Sequence, residues 1–297
     1  MSPPPEWSTC GLGTAVFGSG RSGPLWLGEQ DRASSVATVH AAIDAGVTWI
    51  DTAPFYGWGA AEEIVGEAIR GRRDEVRILT KCGTVQRPGG GWAEDGSPEA
   101  VRTDVEASVR RLGVDRIDVV QLHDPAPGTP VEETVGALAE LVTAGLVGAI
   151  GLSNHDSEAM ARAATVAPIA VVQHQWNLLD HGEPATGAAA WARANGAEFL
   201  AWSPLASGFL TSHFDLAELA DDDLRRRLRW AEGVGAARVA RLRELASDAG
   251  TPLEQLALAW AARAARPIVG ARTPAEAVAA VAIEPLDDAT AALLEEI

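Results

Sequence analysis

From about residue 10 to residue 282 the chain repeats one pattern eight times: a short β-branched or aromatic run, then a longer alanine-rich stretch with helical spacing. The runs at 10–16, 47–52, 77–81, 117–123, 147–153, 171–176, 198–202 and 267–270 read as strands. They are continuously apolar rather than alternating, as parallel strands covered on both faces are. Helical patterns fall between them at 34–45, 61–70, 98–112, 131–144, 157–165, 187–195, 235–264 with an interruption at Pro252, and 274–282. Ser97 before Pro98 is an N-cap and first-turn pair, and Gly46, Gly71, Gly113, Gly145 and Gly196 stand where helices stop. Eight strand-then-helix units predict an α/β fold, a closed (β/α)8 barrel of the TIM type, as a single domain over 1–297 with its site on the C-terminal face. The alternative is an open doubly wound sheet. Gly18, Gly20 and Gly23 satisfy the dinucleotide fingerprint G-x-G-x-x-G, but PLWLG follows, which has no helical period, so the stretch reads as a loop.

That architecture gives meaning to an unusual composition. The chain has one tyrosine, Tyr56, and one lysine, Lys81; the rest of its 24 basic residues are arginine. Asp51 closes the second strand with Tyr56 five residues on, Lys81 closes the third, and His123 closes the fourth. Neighbouring strands lie about 4.8 Å apart, so three successive strand ends bring these four side chains around one small volume. An ammonium held by a carboxylate and aimed at a phenol is expected to draw the phenol's pKa down from about 10. Such a phenol is a general acid toward a carbonyl oxygen, and a neighbouring imidazole can orient that carbonyl. The group includes neither an activated nucleophile nor a metal triad. Proton donation to a carbonyl then requires hydride from a cofactor, because no side chain supplies it.

Composition also excludes. A net charge of -17 argues against nucleic acid and anionic membranes as partners, and Arg225, Arg226 and Arg227 read as a solvated helix face. Cys10 and Cys82 provide neither a disulfide framework nor metal-ligand spacing. The start of the chain lacks the features of a signal peptide, and no apolar run reaches the roughly 18 residues of a membrane span. Together these predict a soluble protein of the cytoplasm.

The segments GLGTAVFG, WIDTAPFYG, TK, QLH, IGLSN, VVQHQWNLL and AWSPLASGFL, in this order, closely resemble the aldo-keto reductases. The resemblance implies a barrel that holds NADP or NAD in extended form across its C-terminal face and reduces aldehydes or ketones, or oxidises the corresponding alcohols, sugars among them. It implies Tyr56 as proton donor, Asp51 and Lys81 tuning it, and His123 orienting the substrate. It further implies that Ser153, Asn154 and Gln173 hold the nicotinamide carboxamide, with Trp202 stacked on the ring. Ser203, Leu205, Ser207 and Gly208 match a loop along the pyrophosphate, and Gly13 and Thr14 a contact from the first strand. At the adenosine end Gly270 and Arg272 match, the latter suited to a 2'-phosphate, which favours NADP. Glu276, however, stands where many relatives have glutamine or arginine, and a carboxylate there suits the free 2'-hydroxyl of NAD.

The substrate side is read from tryptophan. Trp26, Trp58, Trp92 and Trp230 fall in loops on the catalytic face, and these rings either wall an aromatic pocket or pin their loops to the barrel. Residues 206–234 form a charged connection too long for an ordinary loop, a candidate lid or a partly disordered segment. Two other readings use the same residues: a Schiff-base aldolase on Lys81, disfavoured because Asp51 keeps the amine protonated, and a cofactor-sensing subunit like the potassium-channel β subunits.

Overall fold

A computed structural model describes residues 5–19 and 27–296. Strand β1 (Gly11–Gly13) is followed by helix α1 (Arg32–Asp44), then β2 (Trp49–Asp51), α2 (Ala60–Ala68) and β3 (Arg77–Cys82). A small hairpin, β4 (Thr84–Gln86) and β5 (Trp92–Glu94), precedes α3 (Pro98–Leu112). Next come β6 (Ile117–Leu122), α4 (Val131–Thr143), β7 (Val147–Ser153), α5 (Ser157–Ala164), β8 (Ile169–Gln175) and α6 (Ala185–Asn195). The last third holds β9 (Glu198–Trp202), α7 (Gly233–Ala249), α8 (Leu253–Ala262), β10 (Arg266–Gly270), α9 (Pro274–Val281) and α10 (Asp288–Glu295).

All strands but the hairpin pair form one closed parallel barrel in chain order, with β10 returning to pair with β1. This is the (β/α)8 fold expected from the eightfold repeat. Local chemistry fixes the helix ends: Ser97 accepts the Ala100 N–H at the start of α3, Gly113 stops it at φ 64°, and Pro252 begins α8 after Gly250 has ended α7. Three expectations need correction. The first strand ends at Gly13, because Ala15–Gly18 turns into a 3-10 segment. Arg225–Arg227 lie in a 3-10 turn rather than on an α-helix face, with Arg225 paired to the buried Asp223. The hairpin and α10 were not anticipated.

Strand periodicity then builds the site. Trp49, Leu79, Val119, Val171, Leu200 and Ile268 form one apolar cluster inside the barrel. Two residues further along the same strands, on the same inward face, come Asp51, Lys81, Gln121, Gln173, Trp202 and Gly270. A polar layer therefore sits on an apolar one. A Cβ on Gly11 would lie 2.3 Å from the Trp49 ring, so glycine is needed for that indole to fit. Trp7 packs edge-on below Trp49 at 5.3 Å and Arg77 lies 5.1 Å over Trp7, closing the floor. The outward side chains of the strands pack under the helices in the main core, each contributing about 1.5–3 kcal/mol of burial.

Candidate active site

Lys81 lies at the centre of the polar layer. Its ammonium, 1% exposed, donates to Asp51 Oδ1 at 2.5 Å, to the Thr52 carbonyl at 3.0 Å and to Tyr56 Oη at 3.3 Å. Three acceptors use all three of its N–H bonds. Asp51 Oδ2 accepts from Gln173 Nε2 at 2.9 Å and from Gln121 Nε2 at 3.1 Å. The imidazole of His123 stands edge to face with the Tyr56 ring, centroids 6.1 Å apart. The four residues read from three strand ends are thus gathered at one place.

Burial pushes the Tyr56 phenol's pKa up; the Lys81 charge pulls it down, the Asp51 charge opposes that pull, and the net direction is upward. This corrects the expectation that the phenol would be drawn below its ordinary value: burial of the phenol outweighs the pull of the ammonium, and the carboxylate that holds the ammonium adds to the rise. Burial works to lower the Lys81 ammonium, but the Asp51 charge and the hydrogen bonds to Asp51 and Tyr56 outweigh it and hold the amine protonated. Burial, reinforced by the Lys81 charge, drives the His123 imidazole down to about 3. At neutral pH the site therefore presents a neutral phenol and a neutral imidazole beside a fixed ammonium.

The segment carrying Tyr56 is held by backbone contacts. Thr14 donates both its N–H (3.0 Å) and its hydroxyl (3.1 Å) to the Asp51 carbonyl, and Gly13 pairs with Asp51 and Gly270 across the sheet. Gly18 packs so closely on Tyr56 that a Cβ there would lie 2.2 Å from the Tyr56 carbonyl carbon. Gly20 and Gly23, the rest of the fingerprint, lie outside the described residues, as does Trp26.

Beside the phenol, β7 and β8 end in Ser153, Asn154 and Gln173. Ser153 and Gln173 are buried, and among the described residues neither Ser153 Oγ nor Gln173 Oε1 is hydrogen-bonded within the protein. Asn154, at φ 61°, donates to Asp124 Oδ1 at 2.7 Å and accepts from Trp202 Nε1 at 2.9 Å, which fixes the indole at the end of β9. Ser203, Ala206 and Ser207 all have positive φ, and with Gly208 at φ 101° they make a tight bend. Ser203 Oγ accepts the Ser207 N–H at 3.2 Å, the Ser203 carbonyl accepts from the buried Asn177, and Leu205 is partly buried against the core. Non-glycine residues in this region cost on the order of 1 kcal/mol each and collect at functional sites. A cavity of about 290 Å³ opens beside Trp202 and Asn154, lined by His174, Asp180, Glu183 and Arg229 among others.

At the other end, Gly270 closes β10, and the Arg272 guanidinium donates to the carbonyls of Leu27 (2.7 Å) and Glu29 (2.5 Å). Glu276 accepts the Arg272 N–H at 2.8 Å while Thr273 accepts the Glu276 N–H, a capping arrangement at the start of α9.

The tryptophans divide. Trp58 and Trp92 both meet Phe55 edge-on, at 5.5 and 5.2 Å, and Phe55 meets the His123 ring at 5.8 Å. Trp92 is 46% exposed and is brought there by the hairpin. Phe55 is the hub of this aromatic wall, and nothing in the sequence marks it, because one phenylalanine beside a tyrosine carries no distinguishing signal. Trp230 is not part of the wall: at 5% exposure it is buried with Phe209, 6.1 Å away, and pins the 206–234 connection. That connection is built on 3-10 turns at Ala206–Gly208, Leu216–Glu218 and Leu224–Arg227 and is tied to the loop after β8 by the Arg229–Asp180 ion pair. Among the described residues, no helix is long and apolar enough to cross a membrane.

Comparison with known proteins agrees with this architecture. The aldo/keto reductase family model matches residues 10–297. The NADH-specific methylglyoxal reductase of Escherichia coli (strain K12) is 36% identical over 217 residues, which make up 69% of this chain but only 65% of that protein's length. The glycerol dehydrogenase of Gluconobacter oxydans superposes with a TM-score of 0.86 at 29% identity, covering 98% of this chain and 91% of that one. An aldo/keto reductase from Klebsiella pneumoniae, in complex with NADP and acetate, gives 0.74 at 29% identity over the same shares. By barrel, strand-end residues and family match alike, the chain belongs to the aldo/keto reductase family.

Proposed function

We propose that the protein is a nicotinamide-dependent oxidoreductase that interconverts a carbonyl and its alcohol, with Tyr56 as the proton donor. The observation that carries this reading is the buried Lys81 ammonium shared between Asp51 and Tyr56. A neutral phenol already bears the proton that a carbonyl oxygen needs as it becomes an alkoxide. The ammonium at 3.3 Å stabilises the phenolate left behind. His123, neutral across the working range, has no proton to spare and serves as the hydrogen-bonding group that orients the carbonyl.

The donor set fits a nicotinamide dinucleotide. Ser153 Oγ, the Asn154 amide and Gln173 Oε1 suit the carboxamide, and Trp202 offers a ring fixed by its hydrogen bond to Asn154. The bend at Ser203, Leu205, Ser207 and Gly208 suits a pyrophosphate, with Gly13 and Thr14 closing the first strand beneath. When bound, the dinucleotide supplies hydride. At the adenosine end Arg272 is engaged by two carbonyls and Glu276 presents a carboxylate, an arrangement that favours the free 2'-hydroxyl of NAD over the 2'-phosphate of NADP. The substrate is a small carbonyl or alcohol received against Phe55, Trp58 and Trp92. Lys81, held protonated and saturated with acceptors, is a poor Schiff-base nucleophile.

The test is a kinetic screen of NADH and NADPH against sugars, aromatic aldehydes and small ketones, in both directions, with Tyr56→Phe alongside. Turnover that depends on Tyr56 supports the reading; no turnover with either cofactor, or equal turnover in Tyr56→Phe, rejects it.

A further inference from the structure

Gln121 has no part in the function proposed above, yet it is fully buried in the polar layer and bonded to two of that layer's members. Its Nε2 donates to Asp51 Oδ2 at 3.1 Å, and its Oε1 accepts from Gln173 Nε2 at 3.1 Å. Gln173 Nε2 also donates to Asp51 Oδ2, at 2.9 Å. The three side chains close a triangle on β2, β6 and β8. An amide nitrogen has two hydrogens. Gln173 uses one on Asp51 and the other on Gln121, so its Oε1 alone is left without a hydrogen-bond partner among the described residues.

The reverse orientation is excluded by charge. It would set Gln173 Oε1 against the Asp51 carboxylate and against Gln121 Oε1, both acceptors. Asp51 supplies the charged part of that constraint and Gln121 the neutral part. Asp51 itself is fixed by Lys81 through its other oxygen, so the triangle also connects the Gln173 amide to the ammonium behind Tyr56.

We infer that Gln121 is a positioning residue: it locks the Gln173 amide with its oxygen outward, as an acceptor for the carboxamide N–H₂ of a nicotinamide, and couples that acceptor to the Asp51–Lys81 pair. The inference rests on the proposed reading of Gln173 as a carboxamide ligand.

The experiment reads dinucleotide binding, by quenching of protein fluorescence, in the wild type and in Gln121→Leu, Gln121→Glu, Gln173→Leu and the Gln121→Leu/Gln173→Leu double variant. Gln121→Leu is expected to weaken binding about tenfold, and the double variant to bind no more weakly than Gln173→Leu alone, because the two act as a unit. Gln121→Glu supplies a rescue that a role in packing alone would not give. Two carboxylates side by side share a proton. While Glu is protonated, its hydroxyl donates to Asp51 and its carbonyl accepts from Gln173, and once ionised it still accepts from Gln173, so the amide keeps its oxygen outward in either state. Its affinity should therefore stay close to wild type from pH 5.5 to 8, where Gln121→Leu stays weak. Wild-type affinity in Gln121→Leu, additive losses in the double variant, or binding in Gln121→Glu as weak as in Gln173→Leu would overturn the inference. Should Gln121→Leu fail to fold, the comparison of Gln121→Glu with Gln173→Leu decides alone. If the wild type binds neither NADH nor NADPH, the proposed function fails first, a result distinct from all of these.

Discussion

Gly18 and Tyr56 touch through their backbones: the 3-10 turn that ends the first strand lies so close to the segment carrying Tyr56 that a single methyl on Gly18 would fall 2.4 Å from the Tyr56 carbonyl oxygen. Gly57, next to the tyrosine and at φ 65°, is also close to the Gly18 carbonyl oxygen, which would lie 2.7 Å from an added Cβ. Gly18→Ala should cost about 1–3 kcal/mol by overpacking and reduce turnover more than dinucleotide binding. Gly136→Ala, where an added Cβ on helix α4 meets nothing within 4 Å, is the control and should be neutral or stabilising by about 0.5–1 kcal/mol. Thermal melts and kcat for the two variants check this.

Because Tyr56 is the chain's one tyrosine, its titration is visible in the ultraviolet without ambiguity. The phenolate band should emerge above the ordinary value of about 10. Tyr56→Phe should abolish the band, keep dinucleotide affinity and lose about 10²–10⁴-fold in carbonyl reduction. A band emerging at neutral pH would show that the ammonium, not burial, governs the phenol.

His123 gives a pH signature in stability. Its folded pKa, about 3, lies below the unfolded value near 6.5. Below pH 6.5 the unfolded chain takes up a proton that the folded one refuses, so this residue's contribution is complete above 6.5 and is lost as pH falls toward 3. Chemical denaturation of His123→Gln from pH 7 to 4 should show a shallower decline than wild type.

Asp104 should act in the opposite sense. It accepts the Gly83 N–H at 2.8 Å, where the hairpin leaves β3, and burial raises its pKa to about 6. The folded state therefore holds the proton more tightly than the unfolded state, and its contribution fades as pH rises through 6. Asp104→Asn keeps an acceptor for Gly83 and removes the buried charge, so its Tm should exceed wild type at pH 8 and converge with it at pH 4.

Two tryptophans that look alike in the sequence should separate on mutation. Trp230→Ala removes a buried ring and should cost about 3–5 kcal/mol. Trp92→Ala should leave stability within about 1 kcal/mol and raise KM for aromatic carbonyls, since half of its surface is open and the rest lies on Phe55.

What could be read from the chain was whatever depends on period and punctuation. The eightfold alternation gives the barrel, and strand ends give the meeting of Asp51, Tyr56, Lys81 and His123, because parallel register converts position along a strand into height in the barrel. Phe55 and Gln121 stayed hidden: an ordinary residue becomes a hub or a lock only once distant strands surround it. The hairpin had a legible signal, the Pro88 to Gly91 run between two β-like triplets, masked by an expectation of loop after every strand. The sequence carries no sign that Arg272 and Glu276 are each bonded to the protein's own backbone, because their partners at Leu27, Glu29 and Arg272 are set by the fold.

The plug of Trp49, with Trp7 beneath it, has a consequence for the traffic of hydrogen ions. Among the described residues the layer directly beneath the Tyr56 site is apolar, so a proton exchanged at Tyr56 is expected to enter and leave through the upper end of the barrel. Whatever covers that end also governs how fast the phenol is recharged by solvent.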